Sequence, residues 1–261
     1  MFMPLSIAVY LSFQILKLSD MSLDGGFVLG GAVFARALMM GLSPFASFLC
    51  TIVAGMISGG VLAAMQYRNR INDLISGIVL SLMLYSINLN IMERPNLDLG
   101  DFRDENGYAM IIYLVCCLLL IVYLFRYSGI GLTLRAFGDN YAMLNRLGVN
   151  AEKYRFWGLM ISSVLVAGGG AITSSTYGYC NIDMGMGVAL TALSTVIIGH
   201  RIVSIIPIKN IVYNIVFACL IGSYTYFLIL NSLLAFGISP INFKIVTGVI
   251  IMTALILAKA R

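Results

Sequence analysis

In the stretch SLDGGFVLGGA, residues 22–32, a carboxylate (Asp24) stands at the entry to an apolar run, followed by Gly25, Gly26, Gly30 and Gly31. Two tasks suit that spacing. The carboxylate can cap the helix that starts at Gly25, accepting hydrogen bonds from amides that have no partner within the helix. Alternatively the helix is discontinuous and its positive end faces a solute path, where dipole and free amides suit a carboxylate-bearing solute. Asp183, in IDMGMGVALTA at 182–192, repeats the aspartate–glycine–apolar order 159 residues later and admits the same two readings. Arg36 is the one basic residue well inside an apolar run. It either attracts an anionic group or snorkels to the interface beyond Gly41–Pro44.

Other chemistries lack their residues. His200 is the single histidine, with no Asp, Glu or Cys at ligand spacing, so neither a metal site nor a Ser-His-Asp arrangement is expected. There is no G-x-S-x-G elbow and no G-x-x-x-x-G-K-[ST] loop, so any ATP is handled by another polypeptide. The five cysteines (Cys50, Cys116, Cys117, Cys180, Cys219) lie mostly in apolar runs and read as small packing residues. The net charge of +5 is not a nucleic-acid footprint, because the basic residues sit in short connections without exposed aromatics around them.

The elements that must position these residues are membrane spans. Sixty per cent of the 261 residues are hydrophobic and a tenth are charged, far from the composition of soluble domains. Apolar runs recur near 3–17, 25–42, 44–65, 74–92, 109–127, 156–173, 188–206, 210–230 and 241–258, which predicts an all-α, polytopic bundle of eight or nine spans in one transmembrane domain over 1–261. No basic n-region or small-residue cleavage site accompanies the first run, so no cleavable leader is expected. With the N-terminus outside and the C-terminus inside, twelve of the 16 Lys and Arg fall on the cytoplasmic side, as the positive-inside rule requires.

Three connections stand out. The acidic outer segment 93–108 is expected to be ordered only against a partner. The polar, glycine-rich run 174–187 reads as a loop or a re-entrant element, and Gly168–Gly170 before it either as ordinary packing within the bundle or as a kink or break in the span. The inner segment 128–155 reads as an amphipathic helix lying under the membrane, with Asp139 as N-cap and Gly148 as stop. The echo between 23–33 and 182–192, entering from opposite sides, suggests an inverted repeat with a site near the bilayer midplane.

Three stretches resemble one known family: SFQILKLSDMSLDGGFVLGGAV, GLTLRAFGDNYAMLNRLGVN and MGMGVALTALSTVIIGHRI. They stand in family order and are similar to bacterial ABC-importer permeases of the branched-chain amino acid, ribose and nucleoside group, closest to an amino-acid-type branch. The chain departs from that pattern at Gln14, Gly26 and His200. The resemblance implies a permease subunit of the inner membrane, paired as a homodimer in the bilayer and driven by two cytoplasmic ABC ATPase subunits that hold ATP and Mg. An extracytoplasmic solute-binding protein would deliver a small polar solute of amino-acid type, and the permease would carry out no covalent chemistry. In this reading 128–155 supplies the ATPase-coupling element through Arg135, Asp139, Asn140, Asn145 and Gly148. The solute path runs by Asp24, Gly25, Gly26, Arg36 and Asp183. The alternative is a secondary transporter driven by an ion gradient, for which only Asp24 and Asp183 offer carboxylates near span ends.

Overall fold

The computed structural model of the chain describes residues 2–100, 108–204 and 211–235, with five further positions between 245 and 252. The run at 241–258 lies mostly outside the described residues. α1 (Phe2–Val9) continues as a π-helical stretch (Tyr10–Ile15), and α2 (Leu23–Met39), α3 (Pro44–Met65) and α4 (Asp73–Met92) follow. Next come β1 (Asn96–Asp98), α5 (Tyr108–Arg126), the short α6 (Gly129–Asp139) and α7 (Tyr141–Arg146), and the long α8 (Ala151–Tyr177). The described part closes with β2 (Tyr179–Asn181), a 3-10 turn (Ile182–Gly185), α9 (Val188–Val203) and α10 (Ile211–Ala235). The chain thus forms the all-α polytopic bundle expected of it, eight of the nine apolar runs coinciding with helices among the described residues. Among the described residues five helices are long and apolar enough to cross a bilayer, or six if α5 and α6 count as one span bent by 76°. α1 with its π-helical extension and α2 (17 residues) are shorter.

α8 is the central element. Two-thirds of its apolar window is buried, against one-third for α3 and less for α4 and α10. α2 and α3 pack on it through glycine. A Cβ at Gly30 would overlap the Ala167 carbonyl oxygen, and one at Gly170 would overlap the carbonyl oxygen of Phe27. A Cβ at Gly59 would stand 2.7 Å from the Met160 Cα. Lipid offers no hydrophobic drive between helices, so such backbone approach, which maximises dispersion contacts, is what holds spans together. Hydroxyls add ties across the interior: Ser12 Oγ lies 2.8 Å from Ser162 Oγ, Ser6 Oγ meets both Thr195 and Ser223, and the Tyr113 hydroxyl donates to the Leu165 carbonyl at 2.6 Å.

Of the two readings of Gly168–Gly170, packing holds, and one further expectation is corrected. α8 runs unbroken from Ala151 to Tyr177, and these glycines make room for Tyr113 and Phe27. Part of the outer segment is ordered by this chain itself, since β1 pairs antiparallel with β2 in the register Leu97↔Cys180. Leu99 N–H also donates to the Gly178 carbonyl at 2.8 Å and Ile182 N–H to that of Pro95 at 2.9 Å. Residues 101–107 of that segment are outside the described residues.

Candidate functional site

α2 begins after an irregular segment, 16–22, whose Leu16, Leu18, Asp20 and Ser22 are all buried. Irregular backbone is tolerated at membrane depth only where protein encloses it. Asp20 organises the segment: its Oδ1 accepts the Ser22 N–H at 2.8 Å and the Ser22 hydroxyl at 2.7 Å. Its Oδ2 is buried without a hydrogen-bond partner.

The amino end of α2 lies halfway along its neighbours. Gly26 faces Val166, near the middle of α8, and Gly25 packs on Ser81 and Leu84, near the middle of α4. Here the structure corrects the expected cap. Ser22 occupies the N-cap position of α2 and Asp24 sits in its first turn. Asp24 instead caps α9: Oδ2 accepts the Gly187 N–H at 3.0 Å and Oδ1 the Ala189 N–H at 2.7 Å. α9 has no side-chain cap of its own, because its N-cap is Gly187 at φ 81°. The first amides of α9 are therefore held by a carboxylate of this chain rather than left open.

Asp183 does not mirror Asp24. It is exposed in the 3-10 turn, where its N–H donates to Asn181 Oδ1 at 2.8 Å. The two halves of the sequence echo do meet, Gly185 packing on the Asp24 carbonyl, but only one aspartate caps a helix. Arg36 lies in the last turn of α2 and pairs with Glu93, just beyond α4. Gly25 is buried, and its carbonyl accepts the Asn88 side-chain N–H at 3.1 Å.

At the opposite end from Arg36, the segment 128–155 folds as two helices rather than one. Ser128 caps α6, and Asn140, not Asp139, caps α7 by accepting the Met143 N–H at 3.0 Å. Asp139 ends α6, where a carboxylate would not favour a cap, and its Oδ1 pairs with Lys17 at 2.9 Å. Asn145 lies in α7. Gly148, at φ 75°, closes the turn with the Val149 N–H donating to the Leu144 carbonyl at 3.0 Å, so the expected stop is where the chain turns. Arg135 stacks over the Phe125 ring at 5.1 Å, with Nε and Nη2 buried without hydrogen-bond partners.

Sequence reasoning missed the residue that ties this segment to the bundle. Arg155, almost fully buried in the first turns of α8, donates to the Gln66 carbonyl at 2.6 Å and lies over the rings of Phe137 (5.5 Å) and Tyr141 (5.9 Å). Glu152 sits 3.9 Å from its guanidinium and accepts the Tyr141 hydroxyl at 2.9 Å. One cation thus joins α3, α6, α7 and α8. A lysine there would keep the charge but lose the flat face that stacks on two rings. Arg155→Lys is expected to lower stability by about 1–2 kcal/mol, read as a fall in the unfolding midpoint in nanodiscs. An unchanged midpoint would mean the rings are held by other contacts.

Among the described residues no group of three or more His, Cys, Asp or Glu could hold a metal ion. Comparison with known proteins places the chain. The family described as "Branched-chain amino acid transport system / permease component" matches residues 2–255. An uncharacterized protein of Rickettsia prowazekii is 40% identical over 265 residues, covering 97% of this chain and 92% of its own length. A tyrosine transport system permease protein of Clostridioides difficile is 31% identical over 258 residues, covering 96% and 85%. A ribose import permease protein of Haemophilus influenzae is 24% identical over 207 residues, covering 74% and 64%. No solved structure matches. With a match from residue 2 to residue 255 on a bundle of apolar helices, the chain belongs to the branched-chain amino acid transport permease family and is a multi-pass protein of the inner membrane.

Proposed function

We propose that the chain is the membrane-spanning subunit of an ATP-driven importer for a small amino-acid-type solute, working as a homodimer by alternating access. The reading is supported by the family match, by the sequence's lack of a phosphate-binding loop, and by a relative named for tyrosine transport. The observation that carries it is the α6–α7 pair, an amphipathic element fastened to the bundle by Lys17–Asp139 and by Arg155. Such an element can pass a push from an ATPase to the spans. Arg135, Asp139, Asn140, Asn145 and Gly148 belong to it. ATP and Mg would be held by two cytoplasmic ATPase subunits, and an extracytoplasmic binding protein would deliver the solute. This chain would then move the solute without a covalent step.

The solute path would pass Asp24, Gly25 and Gly26, at mid-depth, with Arg36 and Asp183 nearer its outer mouth. Two helix starts meeting in the interior are the usual setting of a transport site. ATP hydrolysis by the permease with its ATPase in nanodiscs tests coupling. Arg135→Glu is expected to cut permease-dependent hydrolysis at least tenfold while the chain still inserts. Normal hydrolysis and uptake in that variant would sink the coupling role.

One observation favours a second reading. An ion-gradient carrier needs an interior carboxyl, and the buried Asp20 beside the helix break is one. Uptake that follows an imposed ion gradient with no ATPase bound would put that reading in place of the first.

A further inference from the structure

α3 ends and α8 begins on one side of the membrane, and between those two ends lies a cleft of about 620 Å³. Ala63, Ala64 and Tyr67 line it on one side and Lys153, Phe156 and Trp157 on the other. The positive-inside rule makes this the cytoplasmic side. The floor is apolar and leads into the bilayer, with the Phe156 ring 3.6 Å from where a Cβ at Gly60 would stand, one turn deeper in α3. Tyr67, Phe156 and Trp157 are each two-fifths or more exposed. Aromatic residues with one apolar and one wet edge gather at headgroup level.

The rim is cationic. Lys153, Arg68 and Arg70 are exposed, and among the described residues no carboxylate lies within ion-pair distance of them. Arg68, whose backbone is left-handed at φ 55°, holds its guanidinium over the Tyr67 ring at 5.3 Å. The acids close by answer to another cation. Glu152 faces Arg155 and accepts the Tyr141 hydroxyl, leaving its side chain 12% exposed. Asp73, in the first turn of α4, is within electrostatic reach of the same Arg155. An apolar floor, an aromatic waist and unpaired cations at the rim are satisfied together by an amphiphile with a negative head.

We infer that the cleft between the ends of α3 and α8 is a binding site for an anionic phospholipid of the inner leaflet. Lys153 and Arg68 meet its phosphate, and an acyl chain lies along Ala63, Ala64 and Phe156. The inference stands apart from the importer reading, since it needs only the fold and its orientation in the bilayer. A cytoplasmic protein is the other candidate occupant. The floor speaks against it, because it continues along α3 through Gly60 to the exposed Ile57, where a protein would have to enter the hydrocarbon.

Trp157 is the chain's single tryptophan, so its fluorescence reports on this cleft alone. The purified permease is placed in phosphatidylcholine nanodiscs with a minor share of phosphatidylglycerol, one lipid or the other brominated on its acyl chains so that it quenches tryptophan on contact. Quenching per molecule is expected to be at least about fivefold greater for phosphatidylglycerol, the preference that one juxtamembrane cation confers. Lys153→Gln combined with Arg68→Asn, an asparagine being at ease in left-handed backbone, is expected to abolish the preference, and Lys153→Arg to keep it. Arg146→Gln, which removes an exposed charge of α7 outside the cleft lining, is expected to leave it unchanged. Equal quenching by the two lipids in the wild type, the result a protein groove would give, overturns the inference. So does a preference that survives the double variant, or one lost as fully with Arg146→Gln, which would make it a matter of net charge. An excess of soluble glycerol phosphate is expected to leave the preference in place, because the lipid is held by its chain as well as its head. Its loss there would make the cleft a site for free phosphate esters and overturn the inference too.

Discussion

Replacing Gly30 or Gly170 with alanine is expected to leave little folded permease. Both residues lie where α2 crosses α8, and each would push a methyl group into a carbonyl oxygen of the other helix, Ala167 in one case and Phe27 in the other. A side chain in the way can change rotamer; a backbone carbonyl cannot. The helices would have to separate by an ångström or more along their tightest line, losing the dispersion contacts that hold spans together in lipid. Overpacking of this kind costs about 1–3 kcal/mol where side chains can adjust. With backbone on both sides the expected loss is about 3 kcal/mol or more, even after the gain of roughly 1 kcal/mol that alanine brings over glycine inside a helix. Gly60→Ala in α3 is the control, because its nearest neighbour is the Phe156 ring at 3.6 Å, an ordinary contact. Size-exclusion profiles and unfolding midpoints of the three variants separate the cases. A monodisperse Gly170→Ala with the wild-type midpoint would show that the α2–α8 crossing is not an interlock.

The same residues show what a sequence can and cannot disclose. Hydropathy places α3, α4 and α10 well because lipid-facing helices are apolar on most sides, and these three have two-thirds or more of their windows unburied. It places the end of α8 badly. Residues 174–177, SSTY, read as polar loop, yet α8 continues to Tyr177, the Thr173 hydroxyl donating to the Gly169 carbonyl at 2.7 Å and that of Thr176 to Ile172 at 2.8 Å. Hydroxyls satisfied within their own helix do not end it. The role of Gly168–Gly170 was unreadable for a related reason: a glycine marks a break or a close contact according to what packs on it, and Phe27 lies more than 140 residues away in the chain. Asp24 was visible as unusual, but its partners, 163 and 165 residues on, follow no period. Asp20 and Asn88 gave no signal beyond being polar among apolar residues, Arg155 looked like one more charge of the inner segment, and only packing shows that each is buried.

Asp24→Asn is expected to lower stability by about 2–4 kcal/mol and to reduce uptake at least tenfold. The carboxylate's two oxygens each take one amide of α9, at 3.0 and 2.7 Å. Asparagine supplies one acceptor, so its NH₂ would face the other peptide N–H, donor against donor. The lost charge-assisted hydrogen bond is worth about 1.5–3 kcal/mol, and the lost attraction to the helix end up to about 2 kcal/mol in a partly buried setting. No local substitute exists, because the residue at the N-cap of α9 is Gly187, which has no side chain. Asp24→Glu keeps charge and both oxygens one methylene further out, and should lose less than asparagine does. The pair of measurements separates two roles for the carboxylate. A lower midpoint together with lost uptake identifies a tie between α2 and α9 on which the transport path is built. Lost uptake with an unchanged midpoint would move Asp24 from that tie to direct contact with the solute, and normal values of both would remove the cap from the account of how these two helix starts are held together.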